Sequence, residues 1–110
     1  MTTEILRQPE RYPLSSKYDA AWLLGLDMGP NPLWLLEDLA PDLGLRPGMR
    51  VLDLGSGRGA TSVFLAKEFG VSVVAADLWV DPAKAAATFA EAGVSGQVEA
   101  VRAEIGRAHV

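Results

Sequence analysis

The chain has 110 residues, 49% of them hydrophobic, which leaves room for one domain at most and supplies apolar content enough for a core. Its net charge of −4, with ten basic residues scattered along the chain, argues against a nucleic-acid partner, because neutralising phosphates needs clustered Lys and Arg. Cysteine is absent, which excludes disulfides and thiolate metal sites, and no stretch approaches the roughly 18 uncharged apolar residues of a membrane span.

The first residues, Met-Thr-Thr-Glu-Ile-Leu-Arg, have neither a basic start nor a long apolar run, so no signal peptide is expected and a cytoplasmic protein is. Residues 1–18 show no helical or strand period and predict an irregular arm. Asp19 can cap a short helix from Ala20 to Leu26, stopped by Gly29 and Pro30. Asn31 before Pro32 starts a second helix to Ala40, with Leu33, Leu36 and Ala40 on one stripe, Glu37 and Asp38 in water, and Pro41 next. Gly44-Leu45-Arg46-Pro47-Gly48 is a turn into the next element.

Arg50 to Leu54 is a short buried strand carrying Asp53, and glycine then falls at every second position: Gly55, Gly57 and Gly59, with Ser56 and Arg58 between them. Without a Cβ these positions accept positive φ and let a ligand lie on bare main chain. Ala60 to Phe69 reads as a helix with a broad apolar face, Lys67 and Glu68 in water and Gly70 as its left-handed cap. Strand, glycine loop and helix form the first half of a nucleotide-binding βαβ unit. Two cofactor classes use it. The spacing Gly55, Gly57, Ala60 is compatible with the dinucleotide fingerprint of an NAD(P) oxidoreductase. Asp53 would repel a diphosphate, whereas S-adenosylmethionine carries a sulfonium and an ammonium against one carboxylate.

Val71 to Ala76 is almost wholly apolar, as expected of a parallel strand covered on both faces, and ends in Asp77. Asp77 lies 22 residues beyond Gly55, near the spacing at which an acid meets ribose hydroxyls, and an ionised carboxylate can accept from both. Trp79 suits either an adenine face or the core. Asp81-Pro82 starts an alanine-rich helix, Ala83 to Ala92, anchored by Phe89, and Gln97 to Ala103 alternates as a third strand. Connections of this length with intervening helices require parallel strands.

Val51-Leu52-Asp53-Leu54-Gly55-Ser56-Gly57-Arg58-Gly59, followed by a helix and a second strand ending in Asp77, resembles the first motif of class I S-adenosylmethionine-dependent methyltransferases. Stretches similar to Ser-Ser-Lys-Tyr-Asp and Met-Gly-Pro-Asn precede that motif in some bacterial members acting on small molecules. The resemblance implies an α/β, Rossmann-like doubly wound parallel sheet, here truncated after about three strands, with an N-terminal helical cap. Residues 1–45 would be the arm and cap helices and 46–104 the first half of the cofactor domain. Tyr12, Tyr18, Met28 and Asn31 are the candidates over the cofactor crevice, against the simpler reading that they seat the arm on the sheet. The implied S-adenosylmethionine site comprises Asp53, Gly55, Ser56, Gly57 and Gly59, with Asp77 on the ribose and Leu78 on the adenine face. Arg58 either reaches the methionine carboxylate or faces solvent. None of these is a chemical catalyst. The implied reaction is methyl transfer to a small-molecule acceptor, whose identity, catalytic base and oligomeric state are not encoded here. Such a three-strand piece, with an open apolar edge, is expected to be inactive alone. The alternatives are an NAD(P)-binding oxidoreductase fragment and a non-catalytic S-adenosylmethionine-binding module.

Ile105 to Val110 fits nothing before it. With a stop codon it can be written ATC GGA AGA GCA CAC GTC TGA, the opening of a widely used sequencing adapter. Residues 105–110 are therefore expected to be a non-native tail, with Glu104 keeping only its first native base, and the sole histidine, His109, drops out as a base.

Overall fold

The computed structural model describes residues 8–26, 32–104 and 107–108. The expected stop at Gly29 and Pro30, the cap at Asn31, Met28 and His109 lie outside them. A 3-10 turn, Ser15–Lys17, precedes α1 (Ala20–Leu26) and α2 (Pro32–Leu43); then follow β1 (Arg50–Leu54), α3 (Ala60–Phe69), β2 (Ser72–Asp77), α4 (Pro82–Glu91), β3 (Val98–Glu104) and β4 (Arg107–Ala108).

The sheet order is β1-β2-β3-β4. β1, β2 and β3 are parallel, with Arg50 opposite Ser72 and Leu54 opposite Ala76, then Val73 opposite Val98 and Asp77 opposite Arg102. This is the Rossmann-like arrangement expected of strand–helix–strand repeats. β4, in a segment given no element from sequence, pairs antiparallel with the end of β3, Ala103 opposite Ala108.

The main core lies between sheet and helices, where Val63 and Leu65 of α3, Val73 and Ala75 of β2, Ala85 and Phe89 of α4, and Val98 are buried together. Side chains alternate along a strand, so Leu52 and Leu54 point away from the α3 side faced by Asp53, and they are 58% and 69% exposed. Asp81 caps α4 as expected, accepting from the Ala83 N–H at 2.9 Å. Gly70 ends α3 in the left-handed conformation.

Several local expectations are corrected. Pro41 does not end α2, which continues to Leu43: the proline stands third from the end of the helix, where it removes one hydrogen bond, and the helix tolerates that loss. β2 begins at Ser72, and Val71 before it is fully buried. Glu37 is not simply solvated: its carboxylate accepts from the N–H groups of Leu14 and Ser15 at 3.0 and 2.8 Å and from Ser15 Oγ at 2.7 Å. Asp38 accepts from the Tyr12 hydroxyl at 2.9 Å, and Tyr12 stacks on Trp34 at 5.0 Å between ring centroids. Glu68 is likewise engaged, by Lys17 at 2.8 Å and the Tyr18 hydroxyl at 3.0 Å. The arm therefore seats on α2 and α3 rather than on the sheet, because polar groups left unpaired by its irregular backbone find carboxylates on those helices.

Candidate functional site

The parallel strands of β1 and β2 bring the glycine loop and Asp77 to one end of the sheet. β1 runs into Gly55, Ser56, Gly57, Arg58 and Gly59, and the loop folds back on the end of β2. The N–H groups of Gly55 and Ser56 both donate to the Ala76 carbonyl, at 2.7 and 3.2 Å, and that of Gly59 donates to the Ser56 carbonyl at 3.1 Å. The Gly57 N–H donates to Asp77 Oδ2 at 2.8 Å. Four amides of the loop are thus already paired inside the protein.

The three glycines are not equivalent. Gly55 and Gly57 have positive φ, 75° and 59°, and a Cβ on either would meet open space. Gly59 also has positive φ, but a Cβ there would fall 2.5 Å from Cε1 of Phe89. Gly55 and Gly57 therefore leave bare main chain facing outward, while Gly59 exists to let α4 approach the start of α3. The sequence shows three like glycines; only the position of Phe89 separates them.

Asp53 projects toward α3, where its Oδ2 accepts from Thr61 Oγ1 at 2.6 Å and Ser62 Oγ at 2.7 Å. Helix α3 has no acidic residue in its first turn and no side-chain cap from Gly59, so this carboxylate supplies the negative charge its N-terminus favours. Arg58 does the converse for α1. Its Nη1 donates to the Gly25 carbonyl at 3.1 Å, at the end of a helix with no basic residue in its last turn. Arg58 is exposed, as its solvent-facing reading expects; the contact with Gly25, 33 residues away in sequence, is what neither reading contains.

Asp77 braces the other side of the loop. Its Oδ1 accepts from the N–H groups of Trp79 and Val80 at 2.8 and 2.9 Å, while Oδ2 holds Gly57. Burial alone would raise its pKa, but the three amides outweigh burial and hold the carboxyl below its ordinary 3.8. Ser56 is buried beneath the loop, Leu78 is 38% exposed and Trp79 is 84% exposed, so Trp79 is not a core residue. Arg102, opposite Asp77 on β3, reaches the Leu78 carbonyl at 3.5 Å. The glycine loop, Asp77 and Leu78 therefore come together at one strand tip. Asp53 belongs to the layer beneath, and Tyr12 and Tyr18 belong to the arm's packing. No group of three or more His, Cys, Asp or Glu side chains among the described residues could hold a metal.

No family model matches the chain, and no curated protein does. Solved structures do. A SAM-dependent methyltransferase from Thiobacillus denitrificans in complex with S-adenosyl-L-homocysteine is 35% identical over 61% of this chain and 27% of its own, with a TM-score of 0.53. A SAM-dependent methyltransferase from Geobacter sulfurreducens, also in complex with S-adenosyl-L-homocysteine, is 28% identical over 88% of this chain and 37% of its own, with a TM-score of 0.55. An RNA methyltransferase from Salinibacter ruber in complex with the same molecule is 26% identical over 74% of this chain and 56% of its own, with a TM-score of 0.59. The resemblance to S-adenosylmethionine-dependent methyltransferases and the Rossmann-like fold are thereby borne out. The chain spans only a quarter to just over half the length of these proteins.

Proposed function

We propose that this chain forms the cofactor-binding part of an S-adenosylmethionine-dependent methyltransferase acting on a small molecule. The observation that carries the reading is the glycine loop at the tips of β1 and β2: its outward face is bare main chain at Gly55 and Gly57, and the Asp77 carboxylate stands beside them. Asp53, at the end of β1 and bonded to the first turn of α3, would repel a diphosphate, which disfavours the NAD(P) alternative. A cationic, phosphate-free nucleoside suits the same surface. The relatives crystallised with S-adenosyl-L-homocysteine support this choice of cofactor.

When bound, the cofactor would supply an electrophilic methyl group displaced in line by the acceptor. The residues of this chain hold and orient it: Gly55 and Gly57 form the surface against its methionine end, the buried Ser56 and Gly59 shape the loop behind them, Asp53 fixes the helix, and Leu78 lies beside the adenine. Asp77 holds the ribose. A carboxylate offers about four lone-pair sites, and three N–H groups already use Asp77, so one direction remains on Oδ2. Accepting from both ribose hydroxyls therefore requires either Gly57 or the Trp79–Val80 turn to let go. Residues 1–45 are the arm and cap helices and 46–104 the first half of the cofactor-binding domain.

The scattered basic residues support a small-molecule acceptor over RNA, although one solved relative is an RNA methyltransferase. No helix of the described residues is long and apolar enough to cross a membrane. The test is a chemical-shift titration of the chain with S-adenosylhomocysteine and, in parallel, NAD. The homologue should move the Gly55, Gly57 and Leu78 amides, and Asp77→Ala should weaken it at least about tenfold through loss of a charge-assisted bond. Equal or stronger shifts from NAD at those amides would overturn the assignment.

A further inference from the structure

The contacts of the arm and α1 run in the opposite direction to α3 and step toward the glycine loop. Lys17 and Tyr18, just before α1, bind Glu68 in the last turn of α3. Leu23 shares a buried cluster with Phe64 and Ala60, in the middle and at the start of α3. The Gly25 carbonyl, one residue from the end of α1, accepts from the guanidinium that Arg58 extends from the loop. The arm thus advances along the chain while its partners retreat from residue 68 to residue 58.

The two ends are held by different means. The far end has an ion pair and a phenol hydrogen bond on a nearly covered carboxylate, with the Glu68 side chain 10% exposed. At the near end, Arg58 supplies the polar contact to the Gly25 carbonyl. That carbonyl is among the last four of α1, which no N–H of the same helix can reach, so a cation from outside is the natural partner.

We propose that Arg58 is a positioning residue, a latch that holds the end of the arm against the glycine loop so that the arm forms one wall of the ligand surface. The role in ligand binding rests on the cofactor reading above, but the latch itself does not. A guanidinium between two glycines is well placed for it: Gly57 and Gly59 set the backbone, and Arg58 is free to reach outward. Shifting the loop on ligand entry would move the latch, and holding the latch would slow ligand exit.

The test is hydrogen exchange on the full chain, comparing Arg58→Met and Arg58→Lys with the parent protein. Arg58→Met should raise exchange at the amides of Gly25 and Leu26 at least about fivefold, while the β2 amides keep their protection. Glu68→Gln should loosen the Tyr18 end without this effect at Gly25. Arg58→Lys, which retains the charge but loses the fork, should fall between. Unchanged exchange at Gly25 and Leu26 in Arg58→Met, or equal loosening of α1 and β2, overturns the latch. Should Arg58→Met not fold, parent-like exchange in Arg58→Lys together with parent-like stability overturns it instead. In the same samples, S-adenosylhomocysteine should dissociate faster from Arg58→Met. If the parent chain shows no binding while the exchange pattern holds, the cofactor reading fails and the latch stands.

Discussion

Phe89 occupies the space that a side chain on Gly59 would need: its Cε1 lies 2.5 Å from where a Cβ would stand. The aromatic ring of α4 thus dictates glycine at the start of α3, and the loop–helix junction is a packing contact as much as a ligand surface. Gly59→Ala should destabilise the chain by more than about 2 kcal/mol, from overpacking added to a left-handed φ of 106°. Gly57→Ala, which meets open space, should cost only about 1 kcal/mol of backbone strain. In a denaturation series, Gly59→Ala combined with Phe89→Ala should be less destabilised than the sum of the two, since the larger clash is shared.

Asp77 ties the loop to β2 by accepting from three amides, and its pKa is lowered in the fold. A carboxyl whose folded pKa lies below its unfolded 3.8 contributes stability that is complete above that value and is lost as pH falls through the folded value. The Gly57 amide resonance should therefore hold its position down to about pH 4 and shift only in stronger acid. Asp77→Asn has one acceptor oxygen for two groups of donors, so either Gly57 or the Trp79–Val80 turn should lose protection, and the acid-induced shift should vanish.

Asp53 receives two hydroxyls, one of them from Ser62, which is fully buried. Asp53→Ala should leave that hydroxyl without its acceptor and lower stability by about 1–3 kcal/mol. Asp53→Asn keeps an oxygen but loses the charge, so its loss should be about half as large. Both are read from urea midpoints. An Asp53→Ala midpoint equal to that of the parent would show that the hydroxyls re-pair elsewhere.

Both tyrosines are held neutral beyond their ordinary 10.0. Burial raises Tyr12, helped by its bond to Asp38, and burial raises Tyr18 further, helped by the Glu68 carboxylate. A raised pKa favours the neutral form in the fold, so this stability is complete below 10 and is lost as pH rises above it. Ultraviolet titration should show neither phenol ionising near pH 10 while the chain is folded, and both doing so there in denaturant. Glu68→Gln should bring Tyr18 back toward its ordinary value.

The bounds of β1, α1 and α3, the parallel order of the first three strands and the meeting of the glycine loop with Asp77 at one tip follow from the sequence alone, whereas the place of Leu78 comes from resemblance. Each rests on short-range chemistry: apolar runs, glycine spacing, an Asp-Pro cap, and helices that force parallel crossovers. The candidate site was legible for the same reason, since strand ends and the loop between them are local features. The partners of charged and polar side chains were not. Glu37 and Glu68 read as solvent-facing by helical position, yet each meets a group 22 or more residues away, Tyr18 and Glu68 being 50 apart; the exposed Arg58 likewise meets Gly25, 33 residues away. Periodicity states which face a residue occupies, but what arrives on that face depends on how the arm lies across α2 and α3. The tertiary structure likewise decided that Gly59 serves Phe89 while Gly55 and Gly57 face outward, because a glycine pattern records where a side chain is forbidden and only the packed neighbours show why.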